Sequence, residues 1–326
     1  MPTALITGIT GQDGSYLAEL LLANDYRVIG AVRNIENARK SLPPLLTDSV
    51  QLVAWNMLDQ HNMTKVLARY RPTEIYNCAA YSSGAGMFND PVNIGEVNGL
   101  AVGRILEAIR EVDMNVHFCQ ASSSELFGET IESPQSEETP FQPRNPYGAA
   151  KLYAHSMINI YRRNYGLFAC SAILFNHESP RRGLDFVTRK ITHEVAKIKL
   201  GLVNEIYLGN LDARRDWGFA GDYVRAMWLM LQQPHAEDYV VATGGTHSVR
   251  DLCDTAFAHL GLNYHDYVRE DAGAYRPTES VQLVGDSTKA RKQLGWAPEV
   301  GFQEMISMMV DTDLYKLTEQ NKDKHG

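Results

Sequence analysis

The sequence predicts an α/β fold built on a doubly wound parallel sheet. Short apolar runs recur along the first half of the chain and alternate with segments of helical periodicity, which is the pattern of repeated βαβ units. Glycines are concentrated at the first strand-to-helix turn, and polar side chains follow several later apolar runs. Together these observations indicate a Rossmann-type sheet followed by a smaller α/β region.

The N-terminal segment contains one βαβ unit. Residues 3–7 are typical of a buried parallel strand, residues 15–23 have helical spacing, and residues 25–32 predict the second strand. The turn between them reads Gly8-Ile-Thr-Gly11-Gln12-Asp13-Gly14. Glycines there let a pyrophosphate reach the N-terminus of the helix, so the turn predicts a dinucleotide site. The alternative is a tight turn that needs glycine for its geometry only.

The residues after the second strand bear on the choice between NADP and NAD. NAD-binding units usually place a carboxylate at this strand end, whereas this chain reads Val32-Arg33-Asn34. An arginine there can bind the ribose 2′-phosphate of NADP. Glu36 lies slightly late to bind the ribose, although loop geometry could bring it back. We therefore predict NADP as the cofactor.

A helix is predicted from about Pro91 to Val112. Further strands are predicted at residues 51–55, 74–80, 115–121 and 169–175. The first of them ends in Asn56-Met57-Leu58-Asp59, where an amide or a carboxylate could contact adenine. Asp59 could instead cap the helix that follows.

The strand at 115–121 runs into Ser122-Ser123-Ser124-Glu125, at the sheet edge where open α/β folds bind ligands. The alternative is a turn capped by a hydroxyl, with Ser124 as the cap.

A helix is predicted to begin after Asn145, which is a good N-cap, and to end near Gly166. It would place Tyr147 and Lys151 four residues apart on one face. A free phenol has a pKa of about 10, and a nearby ammonium favours the phenolate and lowers that pKa. The pair therefore predicts a tyrosine general base, and a surface tyrosine beside a solvated lysine is the alternative.

The second half of the chain alternates less regularly. Arg182, Arg215 and Arg276 lie in polar loops, and guanidinium groups suit a nucleotide diphosphate, although each could be a solvated surface charge. We assign residues 1–175 to the cofactor-binding domain, with part of the later chain returning to it. Residues 176–315 form mainly the substrate-binding region, and residues 316–326 form a polar, frayed tail.

Composition argues against several other function classes. The net charge of −8 disfavours non-specific nucleic-acid binding, and no run approaches the roughly 18 apolar residues of a membrane helix. The N-terminus has no features of a signal peptide. The four cysteines are far apart in sequence and indicate buried thiols in a reducing cytoplasm rather than a metal site. We expect a cytoplasmic protein with no metal, nucleic-acid partner or membrane partner.

These segments together resemble the extended short-chain dehydrogenase/reductase family, and within it the GDP-mannose 4,6-dehydratases. The similarity runs from Thr3 to about Asp311. The glycine motif and the Tyr147/Lys151 pair specify only the superfamily. More specific are Ser122-Ser-Ser-Glu-Leu-Phe-Gly128, Phe175-Asn-His-Glu-Ser-Pro-Arg-Arg-Gly183 and Arg215-Asp-Trp-Gly-Phe-Ala-Gly-Asp-Tyr223.

The resemblance implies conversion of GDP-mannose to GDP-4-keto-6-deoxymannose. Tyr147 would take the O4 proton while the cofactor accepts the C4 hydride, and Glu125 would remove the C5 proton and assist loss of water from C6. The hydride then returns to C6. Ser123 would hydrogen-bond O4, and Lys151 would lower the pKa of the tyrosine and hold the ribose.

The resemblance also implies the binding residues. Those for the cofactor would be Gly8, Gly11, Gln12, Asp13, Gly14, Arg33, Asn56, Met57, Tyr147 and Lys151. Those for the GDP-sugar would be Asn176, Glu178, Arg182, Lys190, Gly209, Arg215, Arg276 and Glu279.

Three departures from the family pattern bear on these expectations. Ser123 stands where the family usually has threonine, which loses a methyl group that restricts the rotamer. Tyr81 and Gly84 replace a glutamine and a larger residue in the loop that borders the sugar, so a GDP-heptose is the alternative substrate. Arg33-Asn-Ile-Glu36 replaces a segment that reaches the neighbouring subunit's cofactor. A homodimer that pairs two long helices, including the Tyr147 helix, or a homotetramer is expected.

Two rival functions remain open at this point. A nucleotide-sugar 4-reductase or epimerase would use Tyr147 and Lys151 without a C5 base, so Glu125 distinguishes it from a dehydratase. A non-catalytic NADP-sensing protein on the same fold would not require Tyr147, Lys151 and Glu125 all to be present.

Overall fold

The computed structural model describes residues 1–82, 88–271 and 282–325, with side chains through residue 322. Its strands are β1 (Thr3–Thr7), β2 (Arg27–Val32), β3 (Gln51–Ala54), β4 (Glu74–Asn77), β5 (His117–Ala121), β6 (Ala169–Leu174), β7 (Asn176–Glu178), β8 (Ile206–Leu208), β9 (Arg214–Arg215), β10 (Trp217–Phe219), β11 (Tyr239–Val241), β12 (His247–Ser248) and β13 (Val268–Glu270).

The helices are α1 (Gln12–Ala23), α2 (Ile35–Ser41), α3 (Pro44–Thr47), α4 (Gln60–Tyr70), α5 (Pro91–Ile94), α6 (Ala101–Val112), α7 (Pro146–Tyr165), α8 (Val187–Lys199), α9 (Ala220–Leu231), α10 (Val249–His259), α11 (Tyr264–Tyr267), α12 (Thr288–Leu294) and α13 (Phe302–His325). A π-helical segment, Gly95–Leu100, connects α5 to α6, and a 3₁₀ turn, Ser124–Leu126, follows β5. None of these helices combines the length and the apolar character needed to cross a membrane.

The central sheet has seven parallel strands in the order β11-β6-β5-β4-β1-β2-β3. The predicted doubly wound sheet is therefore confirmed. Strand β1 pairs with β2 on one side and with β4 on the other, so the strand order reverses beside it. At that switch point Thr7 lies opposite Asn77, and its hydroxyl donates to the Asn77 side-chain oxygen at 2.5 Å. Open α/β sheets bind ligands in the crevice beyond such a reversal.

Helices cover both faces of the sheet and form two apolar layers. On one face α1 packs against α9, with Leu17 and Met227 in the shared core. On the other face α4, α6 and α7 pack on the sheet, with Ile105 and Ile158 fully buried. A separate core joins α8, α10 and α13 around residues such as Met309. The second half of the chain therefore has an apolar core of its own beside the sheet domain.

The ends of α7 follow the predicted signals. Asn145 is the N-cap, and its side chain accepts a hydrogen bond from the Gly148 N–H at 2.8 Å. Pro146 is the first helical residue, and Gly166 ends the helix in the left-handed conformation at φ +70°. Tyr147 and Lys151 thus lie in the first two turns, facing the carboxyl end of the sheet.

Two predictions of secondary structure are corrected. The tail expected to fray from residue 316 is helical to His325 as part of α13, where Leu317 is buried and anchors the turn. The single helix expected from Pro91 to Val112 is interrupted by the π-helical segment. In both places contacts with neighbouring elements decide the conformation, and local composition does not report them.

Candidate active site

A cavity opens at the carboxyl end of the sheet, beside the switch point. Strand β5 and its 3₁₀ turn, the first turns of α7 and the segment after β6 supply most of its walls. The cavity brings together seven residues predicted from the sequence, namely Asp13, Ser123, Glu125, Tyr147, Lys151, Asn176 and Arg182.

The glycine turn between β1 and α1 depends on its glycines. Gly8 has φ +69°, and a Cβ there would lie 2.7 Å from the backbone nitrogen of Ala79. A Cβ at Gly14 would lie 2.4 Å from the carbonyl oxygen of Gly8. Gly11 is the N-cap of α1 and supplies no side-chain cap, so the first backbone N–H groups of the helix are left for a ligand. The turn therefore fits the pyrophosphate of a dinucleotide.

Asp13 and His177 form a buried pair across the same turn. The Nε2 atom of His177 lies 3.0 Å from Oδ1 of Asp13, and its Nδ1 atom lies 2.8 Å from the carbonyl oxygen of Phe175. Burial by itself lowers the pKa of His177, but the Asp13 carboxylate outweighs burial and raises it. Burial likewise opposes ionisation of Asp13, yet His177 holds the pKa of that carboxyl well below its usual range. Gln12 joins the pair by donating to Asp13 Oδ1 and to the carbonyl oxygen of His177.

His177 lies within the motif Phe175–Gly183, and no role was predicted for it from the sequence. Its ring lines the cavity and stacks on Tyr223 at 4.9 Å between centroids. The position just beyond β6, next to the predicted Asn176, was the one signal that could have pointed to it.

The residues predicted to bind the adenosine half lie at the ends of β2 and β3. Arg33 is exposed and makes no hydrogen bond or ion pair within the described ranges, while Asn34 caps α2.

Asp59, after the end of β3, caps α4 by accepting from the Asn62 N–H at 3.0 Å, as the alternative interpretation predicted. Asn56 is exposed, and Met57 is buried, with its sulfur accepting from the indole N–H of Trp55. Arg33, Asn56 and Met57 therefore follow two adjacent strands of the sheet.

Tyr147 and Lys151 are both buried in the cavity wall, which rules out the solvated-surface interpretation. Burial raises the pKa of Tyr147 to about 12, and the Ser123 hydrogen bond and the Arg182 charge only partly oppose it. Burial lowers the pKa of Lys151 to about 8, and its ammonium donates to the Ala121 carbonyl at 2.6 Å. The expectation that Lys151 lowers the tyrosine pKa is thus corrected, because burial dominates and the opposing contributions come from Ser123 and Arg182.

Glu125 faces the cavity from the turn after β5. Its Oε2 atom accepts a hydrogen bond from Asn145 Nδ2 at 2.7 Å and lies 3.9 Å from Nε of Arg144. Ser123, not Ser124, caps this turn, since its hydroxyl accepts from the Glu125 N–H at 3.2 Å. The neighbouring hydroxyl of Ser122 also lines the cavity and is buried without a hydrogen-bond partner in the described structure. Such an unpaired donor suits a polar ligand group.

The predicted substrate residues divide into two groups. Asn176 and Arg182 line the cavity, and Arg182 lies over the Phe186 ring with Cζ 3.5 Å from its centroid. Glu178 is buried behind them, accepting from Thr188 and lying 3.3 Å from Nε of Arg182.

The other substrate residues lie further out. Lys190 donates to the Tyr207 carbonyl at 2.6 Å, Gly209 follows β8, and Arg215 lies in β9, which pairs with β12. Arg276, Glu279 and Gly84 lie outside the described residues, whereas Tyr81 is about half exposed at 45%.

Comparison with known proteins identifies the family. The family model of GDP-mannose 4,6 dehydratase matches residues 5–309. GDP-mannose 4,6 dehydratase 2 of Arabidopsis thaliana is 48% identical over 333 residues, covering 95% of this chain and 86% of that protein. The Homo sapiens enzyme is 46% identical, covering 95% and 91%, and the Vibrio cholerae enzyme is 43% identical, covering 95% and 93%.

Solved structures show the same fold in more distant proteins. UDP-glucose 4-epimerase of Thermotoga maritima, with UDP-glucose, superposes with a TM-score of 0.84 at 23% identity, covering 97% of this chain and 99% of that chain. The dTDP-glucose 4,6-dehydratase of Bacillus anthracis, in complex with NAD, has a TM-score of 0.83 at 19% identity, covering 98% of both chains. At these identities the likeness concerns the fold alone. From the family model and the relatives above 40% identity, the chain belongs to the GDP-mannose 4,6-dehydratase family.

Proposed function

We propose that this protein catalyses the 4,6-dehydration of GDP-mannose to GDP-4-keto-6-deoxymannose, with NADP as cofactor. The observation that carries the proposal is that Glu125 lines the same cavity as Tyr147, Lys151 and Ser123. The carboxylate of Glu125 and the phenol of Tyr147 together supply two separate proton acceptors. Dehydration needs both, whereas exchange of a hydride at C4 needs one.

The first step removes a proton from sugar O4. Tyr147 accepts it, and the Ser123 hydroxyl hydrogen-bonds the reacting oxygen. Because burial raises the pKa of the phenol, nearby cations must favour its ionised form, and Arg182 already acts in that direction. When bound, the nicotinamide takes up the C4 hydride and later returns it to C6, so no external oxidant is consumed.

The second step breaks the C5–H and C6–O bonds. The new 4-ketone acidifies the C5 proton, which Glu125 accepts and passes to the departing C6 hydroxyl, so that water leaves and a C5–C6 double bond forms. The product would be complete once the hydride is returned to C6 and C5 takes up one proton, which balances the proton that Tyr147 accepted from O4. The sugar loses one water and undergoes no net oxidation. This acid–base work depends on the position of the carboxylate.

The choice of NADP over NAD rests on Arg33. It stands at the end of β2, is exposed and carries no partner among the described residues, so its guanidinium is available to a 2′-phosphate. Arg33→Ala should weaken NADP binding and leave NAD binding unchanged, measured by titration calorimetry. Arg39→Ala on the exposed face of α2 is the matched control. Equal affinity of the parent protein for both cofactors would overturn the choice.

The sugar is proposed to be mannose because the relatives at 43–48% identity carry that name. A GDP-heptose is the second candidate, since Tyr81 stands in the loop that borders the sugar. The backbone of Tyr81 is held by Asn98, which accepts from its N–H at 2.8 Å and donates to its carbonyl at 3.0 Å.

The deciding experiment incubates the purified protein with GDP-mannose and NADP⁺ and follows the sugar by mass spectrometry. Loss of one water without accumulation of reduced cofactor is expected. Glu125→Gln should abolish water loss, whereas Glu129→Gln, which alters an exposed carboxylate four residues later, should not. Water loss from a GDP-heptose but not from GDP-mannose would change the substrate. An active Glu125→Gln variant would favour a 4-reductase or epimerase.

We also propose a homodimer formed through α7 and the helices before it. Leu100, Tyr153 and Ile160 expose between 41% and 45% of their surface there, and Val92 exposes 74%. Ile160→Glu should convert the dimer to a monomer in analytical ultracentrifugation, and Tyr315→Glu on α13 should not. A parent protein that sediments as a monomer would overturn the proposal, and a tetramer would extend it.

A cytoplasmic location is proposed from the cysteines. All four are free, and Cys119 and Cys170 are fully buried. Unpaired thiols are typical of a reducing compartment. Fractionation of the source cells with an antibody against the protein would test it.

A further inference from the structure

Asn145 contacts two functional elements with the two ends of one amide. Its Oδ1 atom accepts from the Gly148 N–H at 2.8 Å, which caps α7. Its Nδ2 atom donates to Oε2 of Glu125 at 2.7 Å. The side chain is 9% exposed, so both contacts are shielded from solvent. One residue therefore joins the start of the Tyr147 helix to the carboxylate on the turn after β5.

The chemistry of the partners determines which way the amide faces. A backbone N–H can only donate, and an ionised carboxylate can only accept, so Oδ1 must face Gly148 and Nδ2 must face Glu125. Among the residues that cap helices well, serine and threonine have no second polar atom to reach Glu125. Aspartate would present a second carboxylate to it. Asparagine alone of the four supplies both contacts.

The contact with Asn145 involves only one of the two carboxylate oxygens of Glu125. Oε2 is bonded to Asn145, and Nε of Arg144, at 3.9 Å, is too far for a hydrogen bond to it. Oε1 has no partner among the described residues, so it is available to the sugar. We infer that Asn145 is a positioning residue that holds Glu125 so that Oε1 meets the C5 proton, an inference that rests on the proposed dehydration.

Loss of the contact between Asn145 and Glu125 should impair one step only. C4 oxidation uses Tyr147, whose helix stays capped as long as residue 145 keeps a side-chain acceptor. C5 deprotonation uses Glu125, which loses its anchor when Nδ2 is removed. Misplacing a catalytic group by about 1 Å can slow a reaction by about a hundredfold.

The test uses variants that separate capping from positioning. Asn145→Ser keeps a cap and loses the contact to Glu125, Asn145→Asp keeps the cap and adds repulsion, and Asn145→Ala loses both. Asn263→Ser, at the N-cap of α11, is the matched control. The full chain is mixed with NADP⁺ and with GDP-mannose carrying either hydrogen or deuterium at C5. Stopped-flow absorbance follows C4 oxidation, mass spectrometry follows water loss, and thermal melting follows the fold.

For Asn145→Ser we expect parental melting and C4 oxidation within about twofold of the parent rate. Water loss should slow by about tenfold to a hundredfold, with a larger C5 isotope effect. Asn145→Asp should be slower still. Parental water loss in Asn145→Ser, or equal slowing of both steps, would overturn the positioning role while leaving the proposed function intact. A parent protein that dehydrates neither GDP-mannose nor a GDP-heptose overturns both.

Discussion

Gly148 lies directly against the backbone of Glu125. A Cβ at position 148 would be 2.5 Å from the Glu125 carbonyl oxygen and 3.1 Å from the Pro143 Cβ. Helix α7 therefore approaches the turn after β5 more closely than any side chain at that position would permit. The distance between the two proposed proton acceptors, Tyr147 and Glu125, depends on this close approach.

Gly148→Ala should impair both catalysis and stability. The atom in the way belongs to the backbone, so α7 or the turn must shift, which lowers the free energy of unfolding by about 1–3 kcal/mol. The same shift misplaces Tyr147 relative to Glu125 and should lower kcat by about tenfold to a hundredfold. Steady-state dehydration of GDP-mannose and urea denaturation measure the two effects.

Gly103→Ala in α6 is the matched control. A Cβ there would lie 3.7 Å from Cε of Met157, which is ordinary van der Waals contact. Because alanine is the better helix former, the variant should be unchanged or about 0.5–1 kcal/mol more stable. Equal loss of kcat in both variants would contradict the role assigned to the close approach.

The Asp13–His177 pair should stabilise the fold below neutral pH more than above it. The folded state raises the pKa of His177, so its contribution is complete below the unfolded value of about 6.5 and is lost as pH rises through the raised pKa. The pKa of Asp13 is depressed, so its own contribution is lost only as pH falls through that low value. The melting difference between the parent and Asp13→Asn should be larger at about pH 6 than at about pH 9. A difference that does not change with pH would show that the pair is not charged.

Removing one partner of the buried ion pair between α8 and α13 should be strongly destabilising. Arg189 donates to Asp313, which is 1% exposed and also accepts from the Thr192 hydroxyl at 2.8 Å. Asp313→Asn should lower the free energy of unfolding by about 3–5 kcal/mol, because Arg189 is left buried with an uncompensated charge. Guanidinium chloride denaturation measures this loss.

Asp311→Asn, two residues earlier on the same helix, is the control. Its carboxylate pairs with His259 but is 64% exposed, so the change should be within about 1 kcal/mol. Comparable losses in the two variants would mean that burial does not decide the outcome.

Asp216 should affect substrate affinity more than turnover. It is 1% exposed and accepts from the Thr243 hydroxyl at 2.6 Å and from the N–H groups of Thr243, Gly244 and Gly285 at 3.0–3.2 Å. Asp216→Asn would turn an NH₂ group toward N–H donors and displace the neighbouring Arg215, which is proposed to bind the nucleotide. We expect KM for GDP-mannose to rise about tenfold, the effect of losing about 1.4 kcal/mol of binding, with kcat nearly unchanged.

Asp222→Asn separates that effect from general destabilisation. Asp222 is also buried, at 4% exposure, and accepts from the N–H groups of Glu299 and Val300 at 2.9–3.0 Å. Both variants should lose about 1–3 kcal/mol of stability. Only Asp216→Asn should change KM, and a shared KM effect would exclude a specific role for Asp216.

Local signals were sufficient where a contact joins residues close in sequence. Asn145, Pro146 and Gly166 set the ends of α7 through capping and backbone preference, so the helix was predicted correctly. The parallel sheet followed from the alternation of apolar runs and helical segments, and the glycine turn from its place between β1 and α1. Each of these depends on chemistry within a few residues.

Contacts between distant residues were beyond the same reasoning. Asp13 and His177 are 164 positions apart and meet only because β6 delivers His177 beside α1. The pKa of Tyr147 moved against expectation because burial, which the spacing to Lys151 does not report, exceeds the charges that oppose it. The end of α13 is helical, and Leu317 is buried there, which the polar composition of the tail does not report.

Periodicity, capping and motif spacing are properties of neighbouring residues, so the fold class, the glycine turn after β1 and seven of the residues that line the cavity could be predicted from the sequence. Which of those residues share a cavity, which carry buried charges and which way their pKa values shift became evident from the three-dimensional structure. Those properties depend on desolvation and on distances between segments that are remote along the chain.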